Sequence, residues 1–584
     1  MAWTNEDLRE QFAEIATLLR LKGEDQFRVR AYERAADAIA AARVDLATLD
    51  RDELAALPGI GKSTAEKILE QRAHGTIRLL ADLRAEIPTG LIELTRVPGL
   101  GPKTAVQLHR ELGVDSVEAL QAALEAQQVR ELPGLGAKTE DNLRVAISRM
   151  GAKDTARVPV ADALPVAEAL RAELAALPEA VEVAYAGSLR RMRETVGDID
   201  ILAASTEPGP VMQAFHAAPV VREILAAGEK KSSVLTVRGL QADLRVVAPE
   251  AWGAALVYFT GSKAHNIRIR ERAVRRRLTL NEYGLFQRDD AAEDGIGERV
   301  ASRTEADVYA ALDLDWVPAP MREDSGEVEA AAEGRLPRVV TLADLRGDLH
   351  GHSDWSGDGK VPLEDMVAAA AARGWDYWAV TDHAEDLALN GLSKAQMLAR
   401  RERISALNEA VDITVLDGAE LNIDGEGGLD YDWDFLLTFD WCVASIHTLF
   451  ARGEAEQTQR ILSAMQHPAV HAIGHPTGRK IGKRPGYDID LDAVLDAAAE
   501  TGTALEINGS PHRLDIAADV VRRAVERGVT LTIATDAHSL GDLDNARWGV
   551  LTAQRGWATA GDVLNCRALQ GLRAFVAAKR ERVG

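Results

Sequence analysis

The sequence predicts a multidomain chain. Its N-terminal part is α-helical, its middle is α+β, and its C-terminal half is α/β with a parallel sheet, open or closed into a barrel. Three observations carry this. An apolar-Pro-Gly-apolar-Gly segment recurs three times before residue 144. From about 155 a helical stretch (162–176) gives way to the strand-like runs VEVAYAG, GDIDILAAS, SSVLTVRG and QADLRVVA. After 341 short apolar strands alternate with helical stretches, the signature of a parallel sheet. A chain of 584 residues is too long for one hydrophobic core.

Residues 6–45 read as apolar-periodic helix. The repeats follow as LPGIGKSTAEKI (57–68), VPGLGPKTAVQL (97–108) and LPGLGAKTEDNL (132–143). A tight Gly-x-Gly turn feeding a helix N-terminus bares backbone N–H groups where the helix dipole is positive, which suits a phosphate. Such contacts carry no base information. The glycines are Gly59 and Gly61, Gly99 and Gly101, Gly134 and Gly136, with Lys62, Lys103 and Lys138 close behind. One copy could be an ordinary helix turn; three resemble helix-hairpin-helix DNA-binding motifs.

Composition bounds the chemistry. The net charge of −23 speaks against a non-specific DNA coat, but basic residues cluster at Arg190, Arg191 and Arg193 and again from Lys263 to Arg277. Two cysteines, Cys442 and Cys566, argue against a disulfide framework or a cysteine zinc site and fit a reducing cytoplasm. The N-terminal MAWTNEDLRE lacks a secretory pattern, and no apolar run approaches the roughly 18 residues of a membrane span.

In GSLRRMRETVGDIDIL (187–202), Asp198 and Asp200 alternate on a strand and so face one side. Asp243, in ADLRVV, adds a third carboxylate from another strand. Three carboxylates suit two Mg²⁺ ions, one lowering the pKa of an attacking hydroxyl and one holding the leaving phosphates. Gly187 and Ser188 can approach a triphosphate, and Arg191 supplies positive charge. A lone DxD is weak; a GS followed by GDxD, including Gly197, with a later strand Asp points to a nucleotidyltransferase.

With YFTGSKAHNIRIRERA (258–273) and LNEYGLF (280–286), residues 1–320 resemble DNA polymerase beta and its bacterial relatives, the family X polymerases. The resemblance implies a nucleotidyltransferase palm (153–252) and a thumb or nucleotide-selection subdomain (253–319). It implies that Tyr258 and Phe259 pack on the incoming sugar, that Gly261 lies close to sugar and base, and that Asn266 contacts the base edge. Arg270 would touch the template strand, and Arg245 would sit beside the third carboxylate and the DNA. FRVRAYERAADAI with the first hairpin resembles the small lyase domain (1–85), in which Lys67 occupies the Schiff-base position; Ser63 stands where the eukaryotic motif is basic. An exposed helix lysine or a phosphate contact is the other reading of Lys67. Residues 86–152 form the second helix-hairpin-helix domain. The acidic, non-periodic 320–340 reads as a linker.

In the second half, strand ends fall near His350, Asp382, Glu420, His447, His475, Asn508 and Asp536, where α/β folds place their sites. Helices are expected at 362–373, 392–410, 453–466, 490–501 and 515–527. The nitrogen and oxygen donors His350, His352, Asp358, His383, Glu420, His447, His475, Asp536 and His538 suit Mn²⁺, Zn²⁺ or Fe²⁺. Their order resembles the polymerase and histidinol phosphatase (PHP) domain, which implies a distorted (β/α)₇ barrel over 341–584 with up to three metals. Gly357 is inserted before Asp358, so the loop there is expected to bulge. His467 and His471 read as structural. His512 and Arg513 reach a substrate phosphate or belong to a solvated loop.

Together these features imply an enzyme that fills short gaps in DNA repair, with gapped or primer-template DNA and deoxynucleoside triphosphates as partners. A monomer is expected, with no membrane association. The second domain is expected to be a 3′→5′ exonuclease or phosphodiesterase. Two alternatives stay open: a PHP domain that is structural or a small-molecule phosphatase, and a non-catalytic DNA-end scaffold.

Overall fold

The computed structural model describes residues 5–42, 46–57, 59–88, 90–95, 97, 100–137, 139–140, 143–144, 157–289, 292, 295–387 and 390–583. Two compact units emerge, Met1–Ala156 and Arg157–Gly584.

The first unit is helical. The single helical stretch read over 6–45 is instead two helices, Asn5–Lys22 and Gln26–Ala41. Gly23, at φ +80°, turns the chain between them, and the Glu24 N–H closes the turn on Leu19 O at 3.0 Å. The apolar periodicity survives the break because both helices bury their stripes, Leu8, Phe12 and Ile15 against Ala35 and Ile39, in one core. That core continues through Ile68, Leu80, Leu108 and Leu120 to Leu143, across the boundary expected at 85/86.

The second unit opens with a two-stranded ribbon, β1 (Val158–Pro159) with β3 (Thr195–Val196), and a five-stranded sheet, order β2-β4-β7-β6-β5. Its strands are β2 (Glu182–Tyr185), β4 (Ile199–Ala204), β5 (Val221–Ala227), β6 (Lys231–Thr236) and β7 (Gln241–Val247). Helices Val160–Ala175 and Pro208–Ala217 cover one face. Helix Trp252–Thr260 packs Trp252 and Leu256 on Leu202 and Ala204 of the other. A small antiparallel sheet, β8 (Leu278–Asn281), β9 (Gly284–Arg288) and β10 (Ile296–Ala301), joins helices Lys263–Arg275 and Glu305–Ala311 around a further core.

The expected linker at 320–340 is not one. It contains helix Glu327–Ala332, and Met321, Val328, Ala330 and Ala331 belong to the core beside Tyr309. Two of the charges that suggested disorder, Arg322 and Glu327, are buried partners. Arg322 is fully buried and donates to Glu305 Oε1 at 2.7 Å and Val317 O at 2.9 Å, and Glu327 meets His265 Nδ1 at 2.6 Å. Charged residues can be core when each meets its opposite.

From β11 (Gly347–Gly351) to β17 (Leu531–Ala534) seven strands pair in chain order, all parallel. The first and last meet through His352 N to Ala537 O (2.8 Å) and Asp536 N to His350 O (2.9 Å), so the sheet is a nearly closed barrel. Helices Leu363–Ala372, Lys394–Asn408, Glu454–Met465, Leu491–Thr501 and Ala518–Glu526 lie where the sequence puts them. Tyr377, Trp441, Ala472 and Ala504, at the strand starts, form an apolar plug with Leu572 of the last helix, Leu569–Val583. The opposite ends are left for polar chemistry. None of the described helices is long and apolar enough to cross a membrane.

Candidate active sites

The palm carboxylates are positioned by strand register. β4 and β7 are parallel neighbours with Asp200 directly opposite Asp243, and Asp198 precedes β4 by one residue. An oxygen from each of the three lies within 4.8 Å of the others. Burial, then the charges of Asp198 and Asp243, push the Asp200 carboxyl up to about 7, against Arg245 and Arg191. Three acids converging on one point fit a divalent cation. Gly187, at φ +57°, has a further role: a Cβ there would lie 2.1 Å from Asp200 Oδ2. Its neighbour Ser188 lies in a short helix, Gly187–Arg190, while Gly197 has open space around it. Gln241, which the sequence did not single out, donates to Asp243 Oδ1 at 2.9 Å.

Arg191 donates to Glu323 Oε1 at 3.0 Å and to Thr260 O at 2.5 Å, so the expected triphosphate contact is already engaged within the protein. Tyr258 and Phe259 pack edge to face at 5.0 Å, and Arg245 stacks 4.6 Å over the Phe259 ring. Gly261 at φ +69° lies against Arg191. Asn266 donates to Tyr258 O at 2.7 Å, and its Oδ1 is buried without a partner among the described residues. Arg270 is exposed, its Nε on Asn266 O at 3.2 Å.

In the helical unit, Gly61 and Gly101 sit at the N-caps of Lys62–His74 and Pro102–Leu112, and neither helix start has a side-chain cap. Gly59 (φ +83°) and Gly134 (φ +81°) make the turns; Gly136 and the exposed Lys103 leave the approach open. Gly99 and Lys138 lie outside the described residues. Lys67 donates to Ser63 Oγ at 3.0 Å and stands 5.6 Å from the Tyr32 ring centre.

At the barrel mouth the nine donors converge. Glu420 is the hub. Its Oε1 is 3.1 Å from both His447 Nε2 and His475 Nε2, and its Oε2 is 2.9 Å from His383 Nδ1 and 3.4 Å from His350 Nε2. Asp536 Oδ1 lies 3.3 Å from His352 Nε2. Despite the inserted Gly357, Asp358 Oδ2 reaches His383 Nε2 at 3.1 Å and His538 Nε2 at 3.3 Å. Burial, then His538 and His383, bring His352 down to about 4, the neutral form a metal needs. His350 Nε2, both His352 nitrogens and His475 Nδ1 are buried without hydrogen-bond partners among the described residues. Buried orphan imidazoles converging on acids fit divalent metal.

The sequence missed the supporting groups. Glu506 holds His350 Nδ1 at 2.7 Å, and Asn422 Oδ1 holds His447 Nδ1 at 2.7 Å. Both sit on strands bearing other site residues, Glu506 two before Asn508 and Asn422 two after Glu420, so period-2 alternation could have found them. His467 and His471 are indeed structural, accepting from Ala469 N and Cys442 N at 3.0 Å each. His512 is exposed.

Family models match in four places: a helix-hairpin-helix domain at 3–77, a SAM-like helix-hairpin-helix tandem at 91–149, the DNA polymerase beta thumb at 255–323 and the PHP domain at 348–510. The DNA polymerase/3′-5′ exonuclease PolX of Bacillus subtilis (strain 168) is 37% identical over 566 residues, covering 96% of this chain and 97% of that protein. The chain belongs to the family X DNA polymerases that carry a PHP domain. About a third of the chain is also similar to probable phosphatases. One from Photobacterium profundum is 32% identical over 210 residues, 34% of this chain and 80% of the relative. Another, from Acetivibrio thermocellus, is 28% identical over 203 residues, 33% of this chain and 78% of the relative. As a family X polymerase with a PHP domain, the protein is a metal-dependent enzyme of DNA with two separate donor clusters, three carboxylates at the five-stranded sheet and a histidine-rich set at the barrel mouth.

Proposed function

We propose that the palm extends a primer across short gaps in DNA and that the barrel shortens 3′ ends. The observation that supports this best is the coexistence of two intact donor sets, Asp198-Asp200-Asp243 and the nine-residue cluster around Glu420. A scaffold that only held DNA ends would need neither. When bound, divalent ions supply activation of the attacking oxygen and neutralise charge on the phosphates, with Mg²⁺ in the palm and Mn²⁺ or Zn²⁺ in the barrel. The chain's own residues do the rest. Gly187 lets Asp200 close onto the site, and Ser188 offers a hydroxyl to the triphosphate. Asn266 Oδ1 is free to accept from a base edge, and Phe259, backed by Arg245, walls the sugar. In the barrel, Glu506 and Asn422 fix the orientation and tautomer of His350 and His447.

The hairpins at Gly59-Gly61, Gly99-Gly101 and Gly134-Gly136 grip phosphates on the two duplex arms of a gap, and Lys67 is the candidate nucleophile for a 5′-deoxyribose phosphate. One end-labelled primer on gapped DNA tests the main assignment. Asp243→Ala should stop extension while shortening continues, and His352→Ala should do the reverse. Shortening lost in Asp243→Ala and kept in His352→Ala would place the nuclease in the palm.

A further inference from the structure

Shortly after His475 comes the basic segment GRKIGKRPGYD (478–488), which no assignment above uses. It forms a hairpin in which Lys480 N donates to Arg484 O at 2.9 Å. Ile481 N donates to His512 O at 2.8 Å, tying the hairpin to the loop that carries Arg513. Arg513 Nε is 3.6 Å from Asp536 Oδ2 in the donor cluster, and its Nη1 is buried with no partner among the described residues. Lys480 and Lys483 are exposed and make no side-chain hydrogen bond or ion pair with any described residue. Arg484 stacks 4.0 Å over the Phe450 ring, beside Leu449, which is 49% exposed.

These cations crowd one another: burial, then Arg513 and Arg484, depress the Lys480 ammonium. Asp536 answers Arg513 and Glu194 answers Arg479, but no described acid pairs with Lys480 or Lys483, so the outer part of this positive cluster is poised for an anion brought from outside. The position of the lysines tells what kind. A phosphate monoester has its one phosphate in the metal cluster and nothing left to reach the rim. A strand has further phosphates on either side of the scissile one, and bases to lie on an apolar and aromatic surface. The hairpin is also held from the polymerase half. Ile481 packs into the palm core, Gly482 abuts Pro159, and Arg479 pairs with Glu194 at 2.9 Å while its Nε donates to Arg513 O at 3.0 Å. A rail fixed by the palm is already ordered when substrate arrives.

We propose that this rim is a single-stranded DNA rail: Lys480 and Lys483 bind phosphates flanking the one cleaved, and Arg513 binds the scissile phosphate itself. This rests on the reading of the barrel as the nuclease. The test uses the full chain in Mn²⁺ with two substrates, a single-stranded DNA of about 20 nucleotides and bis(p-nitrophenyl) phosphate. In the double variant Lys480→Ala, Lys483→Ala, the ratio of kcat/KM for DNA to that for the small diester should fall about ten-fold, two contacts of about three-fold each. The slope of log KM for DNA against log salt should flatten by about 1.4, some 0.7 per lost contact. An unchanged ratio and slope, in a variant that melts with the parent, overturns the rail and leaves the nuclease in place. A parent that hydrolyses neither substrate overturns the barrel assignment itself, and the rail with it.

Discussion

Gly187→Ala is expected to disable the palm without touching a metal donor. The added Cβ would stand 2.1 Å from Asp200 Oδ2, where 3.4 Å begins ordinary contact, a deficit of roughly 1.3 Å. Alanine at φ +57° also costs about 1 kcal/mol. The carboxylate is the softer side of the clash, so it moves, and it is the one paired opposite Asp243. Misplacing a catalytic group by about 1 Å costs on the order of 100-fold in rate. Single-nucleotide insertion into gapped DNA should therefore slow about 100-fold at saturating nucleotide, while Mn²⁺-dependent shortening of the same primer stays within about two-fold. Insertion within about three-fold of the parent would refute the argument that Gly187 is there to let Asp200 approach.

Three further outcomes each concern a single side chain. Burial works against the Glu305 charge, but Arg322 and Arg190 outweigh it and bring the carboxyl down to about 2. Its stability contribution, about 3 kcal/mol, is therefore full above the unfolded value near 4.5 and lost as pH falls toward about 2. Glu305→Gln should lower the urea midpoint strongly at pH 7 and progressively less below pH 4.5; a pH-independent difference would count against the pairing. Glu506→Gln, which weakens the hold on His350 Nδ1, should raise the Mn²⁺ concentration for half-maximal shortening about 10–100-fold without changing extension, read by metal titration. Lys67→Ala should abolish borohydride trapping on a 5′-deoxyribose phosphate, and trapping that persists moves the nucleophile elsewhere.

The barrel was the most legible part. Its strands end two residues before Asp382, His447, His475 and Asp536, and apolar runs punctuated by polar ends are a local signal. The palm was legible through Asp198, Asp200 and Asp243, since strand alternation alone puts two acids on one side. Gly23 was missed because a hairpin of two helices keeps nearly the same apolar period as one. The segment 320–340 was misread for a different reason: composition cannot tell a solvated acid from one that meets a distant cation. Glu327 finds His265 at 62 residues' separation, and Glu323 finds Arg555 at 232. The hold of Glu323 on Arg191 was invisible for the same reason.

That long-range pairing changes what the barrel is for. Arg555, on helix Ala546–Arg555, donates to Arg191 O at 2.7 Å and to Glu323 Oε1 at 3.1 Å, so a barrel residue fixes both sides of the palm's arginine loop. Trp548 and Leu514, 4% and 1% exposed, belong to the palm core with Val160 and Met192. A chain ending at residue 340 would uncover that core and remove the Arg555 hold on the Arg191 carbonyl and on Glu323, leaving the Arg191–Glu323 pair without its outer support. Each large apolar side chain returned to water costs about 1.5–3 kcal/mol, a large share of a domain's net stability. The truncated chain is expected to lose at least about ten-fold in extension and to melt earlier, whereas His352→Ala, with its barrel folded, should keep extension largely intact. Comparing the two separates the barrel's chemistry from its support of the palm. If residues 1–340 alone extend a gapped primer and melt as the parent does, the contacts of Arg555 and Trp548 are idle, and the two halves are as separable as the acidic composition of 320–340 first suggested.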